Sequence, residues 1–255
     1  MVTVLPARRS IDVAMPLVSL LAPILVASPV AVRQTTPPVL WLQPNGQVSV
    51  SGKPYKDFRI TNGAAGVNTP LGRGLSLNGT RGGMLFPDRP EFKLTKSISV
   101  SAWLYLRSYH NDGPGAQVLF RGDDRSGADA YSLVIHGNGT VHFAIWDSQG
   151  RGMNVQAEVP LQTWVHITSS FDHQTGDLRM WLNGEGVGLA RTQYRPVAEM
   201  DSRYAPGLGI GNVQNDKGPH NQPMNGTIVD LRLYDRVVEP AEAGYRFIPN
   251  QRETP

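Results

Sequence analysis

Six Asn-Gly pairs punctuate the chain, at Asn45, Asn62, Asn78, Asn138, Asn183 and Asn225. Both residues tolerate positive φ, which two-residue type I′ turns require, so Asn-Gly between alternating apolar runs predicts antiparallel hairpins. The flanking runs alternate. Ile98, Val100, Ala102, Leu104 and Leu106 fall on one face of a strand, and Tyr131–His136 and Val141–Trp146 bracket Asn138-Gly139 as hairpin arms. Val165, Ile167 and Phe171 share a face of Trp164–Phe171, Leu178, Met180 and Leu182 run into Asn183-Gly184, and Ile228–Tyr234 closes the series. Strands at this spacing predict a sandwich or barrel. Only Glu239–Arg246 reads as helical, and Leu40–Pro70 is poorly patterned apart from Gln47–Val50.

Composition supports many short strands joined by turns: 27 Gly, 20 Pro and only 18% charged residues. A chain of 255 residues can bury a full core without staples, so the lack of cysteine is no argument against export. It does exclude thiol catalysis, thiolate metal sites and disulfides. The net charge is +3, of which Arg8, Arg9 and Arg33 against Asp12 supply +2. With no Lys/Arg stripe in the remainder, nucleic acid is not an expected partner.

Residues 13–32, from Val13 through Leu20 to Val32, are uncharged and follow Arg8 and Arg9. Two readings of residues 1–34 stand side by side. One is a cleaved secretory signal, although the apolar stretch is long for one and no Ala-x-Ala precedes Arg33. The other is a membrane anchor with its N-terminal end in the cytoplasm, although Pro16, Pro23 and Pro29 each remove a helix hydrogen bond. Both place the rest of the chain outside the cytoplasm. Gln34–Pro38 reads as an extended linker, and residues 35–70 as linker plus a poorly patterned extension ahead of a domain over 71–255.

A series of segments then carries a family resemblance. They are Gly74–Gly79, Phe86-Pro87, Lys96–Tyr105, Val118–Asp123 with Tyr131–Ile135, Val159–Ile167 with Phe171-Asp172, Leu178–Gly184, Leu208–Gly211 and Gly226–Asp235. Trp103 and Trp164 supply bulk for a core, and Gly209 and Gly211 permit close backbone approach. In this order the segments resemble the laminin-G-like, concanavalin A-like jelly-roll family, which includes lectins and glucanases. The resemblance implies an all-β fold, an antiparallel two-sheet jelly-roll β-sandwich, preceded here by the N-terminal hydrophobic segment. It also implies a structural calcium held by an Asp on the last strand with carbonyls from early strands, a place taken by Asp230. The adjacent acidic residue common in the family is Leu231 here, and Asp230 capping backbone N–H groups or pairing with Arg232 is the competing account. The loop from Asp123 to Asp129 is a second calcium candidate, since that ion takes six to eight oxygens.

No catalytic residue is expected. A retaining glucanase needs two carboxyls about 5–5.5 Å apart. The only Glu-x-Asp, Glu199-Met200-Asp201, lacks the following Glu and falls in a loop. His136 and His142 flank one hairpin, but no histidines lie at metal-ligand spacing. Arg121-Gly122-Asp123 spells an integrin-type tripeptide at what reads as a strand-end turn, and Asn78, Asn138 and Asn225 each begin Asn-Gly-Thr, a glycan-acceptor pattern. For carbohydrate binding, exposed aromatic faces beside polar groups are needed. Trp146 with Asp147, Trp181, Tyr194 and Tyr204 are the candidates. Trp146 and Trp181 lie opposite the apolar faces of their strands. The expected function is a noncatalytic module outside the cytoplasm, in periplasm or at the cell surface, binding a glycan or protein. The main alternative is a structural subunit of a membrane complex held through Val13–Val32. A more distant one is a polysaccharide-active enzyme using Glu199 with Asp201 or His136 with His142.

Overall fold

The alternation along Ile98–Leu106 is realised as a long strand whose alternate residues Ile98, Val100, Ala102, Leu104 and Leu106 enter the interior. This computed structural model describes residues 36–110, 115–122, 129–201, 203, 207–213 and 221–246. In chain order the strands are β1 (Leu40–Leu42), β2 (Val48–Val50), β3 (Lys53–Pro54), β4 (Arg59–Ile60), β5 (Ala64–Thr69), β6 (Gly72–Asn78) and β7 (Met84–Phe86). A 3₁₀ turn at Pro90–Phe92 precedes β8 (Ile98–Ser108), β9 (Ala116–Gly122), β10 (Tyr131–Ile135), β11 (Thr140–Trp146) and β12 (Gly152–Glu158). The rest are β13 (Trp164–Phe171), β14 (Asp177–Leu182), β15 (Glu185–Arg191), β16 (Gly207–Ile210) and β17 (Asn225–Tyr234).

They form two antiparallel sheets, a two-layer jelly-roll sandwich. The larger sheet runs β15-β14-β13-β8-β17-β1-β2-β3, with β6 also on β17 and β5 on β6; the smaller runs β12-β11-β10-β9-β16-β7-β4. The last strand in sequence is therefore central in space. One flank of β17 pairs with β8, and the other is shared by β6 (Leu75 opposite Ile228) and β1 (Leu40 opposite Leu233). Between the sheets lies one core, to which Leu40, Ile98, Leu104, Leu133, Phe143, Ile167, Leu178 and Leu231 all contribute. The poorly patterned Leu40–Pro70 supplies five of the short strands. Leu40, Leu42, Val48 and Val50 bring it into the core.

Several expectations are corrected. Among the six Asn-Gly pairs only Asn183-Gly184 has both residues at positive φ (50° and 84°), joining β14 to β15. Asn225-Gly226 is no turn at all but opens β17, paired with β8 and β6. Its glycine answers to crowding, since a Cβ there would stand 2.5 Å from the Tyr105 carbonyl oxygen. The helix expected over Glu239–Arg246 is a single turn, with Ala243 N–H donating to the Glu239 carbonyl. Pro240 and a left-handed Gly244 (φ 88°) leave room for no more.

Trp103 and Trp164 are buried but not in the core between the sheets. They form a second cluster with Tyr105 and Val229 on the outer face of the larger sheet, against Leu71 and Tyr245. The C-terminal segment covers this face. Ser101 Oγ donates to the Ala243 carbonyl, Ser99 Oγ to the Arg236 carbonyl, and Val238 N–H donates to Ser99 Oγ. Beneath the cover, 1% exposed, lies His166, its ring 5.1 Å from Trp103 and 5.5 Å from Tyr245. Burial, then the nearby Arg232 charge, pushes its imidazole down to about 3. The unfolded chain would titrate near the ordinary value of about 6.5 and so binds the proton first as pH falls. Stability from this residue is complete above that value and declines toward pH 3, by up to about 1.4 kcal/mol per pH unit. Urea midpoints at pH 7 and pH 4.5 should therefore separate more for the wild type than for His166→Gln; equal separations would show that His166 is not buried neutral.

Candidate functional site

At one end of the smaller sheet β11 stops at Trp146, and Asp147-Ser-Gln-Gly150 turns the chain into β12. Asp147 organises that turn. Its Oδ1 accepts the N–H groups of Gln149 and Arg151 (2.9 and 3.0 Å), and its Oδ2 accepts Arg151 Nε and Nη2 (2.9 and 2.7 Å). The guanidinium holds the Asp147 carboxyl below its usual range. Arg151 in turn lies over the Tyr194 ring, 5.1 Å from its centroid, while its side chain stays 55% exposed. These residues, with Ser148, Gln193 and Arg195–Ala198, line an open depression of about 480 Å³.

The far wall is pinned from beneath. Val197 N–H donates to the Trp146 carbonyl. Arg121, fully buried, donates Nη2 to the Ala198 carbonyl (2.7 Å) and Nε to Asp88 Oδ1 (3.0 Å). Arg195 donates to the carbonyls of Tyr194 (2.8 Å) and His173 (2.5 Å). The result is a shallow, water-open surface on which a guanidinium is held over an aromatic ring.

The sequence over residues 78–244 matches the family model of the concanavalin A-like lectin/glucanases superfamily. The chain belongs to that superfamily. No curated protein matches the sequence. Among solved structures, the concanavalin A-like sandwich is similar to domain 4 of AbnA, a GH43 extracellular arabinanase from Geobacillus stearothermophilus in complex with arabinotriose. Identity there is 18% with TM-score 0.58, covering 82% of this chain and 97% of that one. It is also similar to the binding domain of botulinum neurotoxin DC, in complex with a ligand designated SialylT in one structure and with rat synaptotagmin II in another. Both give 15% identity and TM-score 0.58, covering 80% and 81% of this chain and 49% and 50% of the toxin chain. This chain thus spans about half the length of those toxin binding domains. At such identities the likeness concerns the fold.

Within this concanavalin A-like domain the sequence candidates separate. Asp147 and Tyr194 meet at the depression through Arg151. Trp146 does not line it: half-buried, it meets the wall only through its carbonyl, which accepts Val197 N–H, and its ring lies against Gly152, where a Cβ would fall 2.4 Å from Cδ1. Trp181 is on the other sheet, opposite Thr168 and Gly186. Asp123, Tyr204, Val13, Leu20 and Val32 lie outside the described residues. Asp129 is half-buried beside Gly122. Of the enzyme alternatives, Glu199 pairs with Lys93 (2.5 Å) and Asp201 with Arg203 (2.6 Å). His136 and His142 do lie together, their rings tilted by 42° with 4.0 Å between centroids, and burial lowers both, His142 to about 4 with His136 adding to the effect. Among the described residues no cluster of three His, Asp or Glu could hold a metal. Arg121 of the integrin-type tripeptide is buried on Asp88 and cannot be offered to a partner.

Arg151 is the residue that sequence reasoning missed. Its signal was present: an Asp four positions before an Arg across a Ser-Gln-Gly turn, a spacing that lets one carboxylate accept both turn amides and a guanidinium.

Proposed function

We propose that the chain is a noncatalytic binding module, working outside the cytoplasm, that recognises a glycan at the Asp147–Arg151–Tyr194 depression. The observation that carries this reading is the Arg151 guanidinium, fixed by Asp147 and laid on Tyr194 while still half-exposed. A sugar presents apolar C–H faces and flanking hydroxyls. The partly exposed Tyr194 ring offers apolar surface, and Arg151, held by Asp147, offers prepositioned N–H donors, so neither side chain need be ordered anew on binding. The superfamily match and the arabinotriose-bound neighbour support a binding role, and so do neighbouring toxin domains in complex with other ligands. Glu199 and Asp201, the carboxyls a hydrolase reading would use, are each engaged with a cation, Lys93 and Arg203. The uncharged Val13–Val32 stretch supports export or anchoring.

The test is a glycan array with the full-length protein, followed by titration of the best ligand. Tyr194→Ala is expected to weaken binding roughly tenfold or more, and Arg151→Ala comparably, with thermal stability nearly unchanged since both lie at the surface. Retention of glycans by both variants at wild-type affinity would move the site elsewhere. Release of reducing ends by the purified protein would overturn the noncatalytic reading.

A further inference from the structure

Asp230 combines an unusual backbone with a crowded carboxylate. It has φ of 53°, inside the irregularity between Val229 and Arg232 where β17 shifts register against β8. A non-glycine residue in the left-handed region is strained and persists only where its surroundings hold it. Here they do. Asp230 Oδ1 accepts Trp41 Nε1 at 2.6 Å and Arg232 Nε at 2.9 Å, and Oδ2 accepts Arg232 Nη2 at 2.8 Å. The Arg232 guanidinium lies 4.8 Å from the centre of the Trp41 ring. Gly244 closes over it, where a Cβ would fall 2.6 Å from Nη2. Both charged side chains are largely buried, 16% exposed for Arg232 and 11% for Asp230.

This donor set does not fit the calcium ion that the family resemblance implies at Asp230. Calcium takes six to eight oxygens at about 2.3–2.6 Å. Around this carboxylate stand an indole N–H and two guanidinium N–H groups, all donors. A divalent ion would also face the fixed positive charge of Arg232 at close range in a poorly hydrated place.

We propose that the cation Asp230 holds is Arg232 itself, so that this domain joins its first and last strands without a metal ion. The guanidinium does three jobs an ion would otherwise do. It neutralises the buried carboxylate through a two-pronged contact, and it fixes Asp230 in its left-handed conformation. It also links β17 to β1 by lying on Trp41. A guanidinium is always charged in proteins, so the link persists at any ambient calcium level.

Thermal unfolding of the full-length protein in millimolar calcium and in excess chelator tests this. The wild-type midpoints should coincide. Arg232→Ala should lower the midpoint by about 5–10 °C, because a buried carboxylate loses its counter-charge. Should Arg232→Ala fail to fold, Arg232→Lys serves: it keeps the charge but not the fork, and should melt below wild type with the same indifference to calcium. A calcium-dependent rise of the wild-type midpoint that Asp230→Asn abolishes would overturn the proposal. So would an Arg232→Ala or Arg232→Lys protein that melts with the wild type.

Discussion

Replacing Asp88 by alanine should cost the fold about 3–5 kcal/mol, the usual penalty for leaving a buried charge without its partner. Arg121 has no exposed surface, whereas the Asp88 side chain is 24% exposed. The two partners are therefore not equivalent. Asp88→Ala strands a guanidinium inside the sandwich. Arg121→Met instead puts an apolar chain of similar length in that place and leaves a carboxylate able to reach water, so it should cost clearly less. Chemical denaturation of both variants reads the difference directly. If Arg121→Met proved the more damaging, the ion pair would not govern this region. Because Arg121 also donates to the Ala198 carbonyl, beneath the wall of the depression, Asp88→Ala should weaken the proposed glycan binding without touching a lining residue.

The second large effect is expected for Trp103→Ala, at about 3–5 kcal/mol. Trp103 contributes nothing to the core between the sheets. It fills the space between the larger sheet and the C-terminal segment, its ring 6.1 Å from Tyr245 in a stacked arrangement and beside His166. Tyr245→Ala should cost less, and the double variant less than the sum, with a coupling of about 0.5–1.5 kcal/mol for the aromatic pair. A cost for Trp103→Ala near the roughly 0.5 kcal/mol typical of surface positions would mean that the C-terminal segment does not seat on the sheet.

How much of this could be read beforehand depends on whether a feature is local. Period-two alternation is local, so the faces of Ile98–Leu106 and Tyr131–Trp146 were legible, and with them the sandwich. The Asn-Gly rule was local too, and it failed at Asn225-Gly226 because that glycine is required by Tyr105, over a hundred positions away and touching it across the sheet. Trp103 and Trp164 were recognised as buried bulk. Alternation alone cannot say that a sheet has a second covered face, so their place outside the main core was hidden. At the candidate site, Asp147 and Tyr194 stood out by residue type, yet the connection through Arg151 needed β12 and the segment after β15 to converge. The pairing of Asp230 with Arg232 was among the alternatives in the strand sequence. Trp41, which joins them from β1, lies in the stretch that reads most poorly.

The central place of β17 has a consequence for synthesis. A ribosome delivers β1, β6 and β8 long before the strand that pairs with all three, and Trp41 waits through 189 positions for Asp230. Until Asn225–Tyr234 emerges, the larger sheet is split, with open edges on either side of the gap. Such long-range closure makes folding slow and leaves no early fragment able to finish its own sheet. Closure of the larger sheet is thus tied to the synthesis of β17: the nascent sheet should remain protease-sensitive until Asn225–Tyr234 has been made, and a stop before that strand leaves the sheet split.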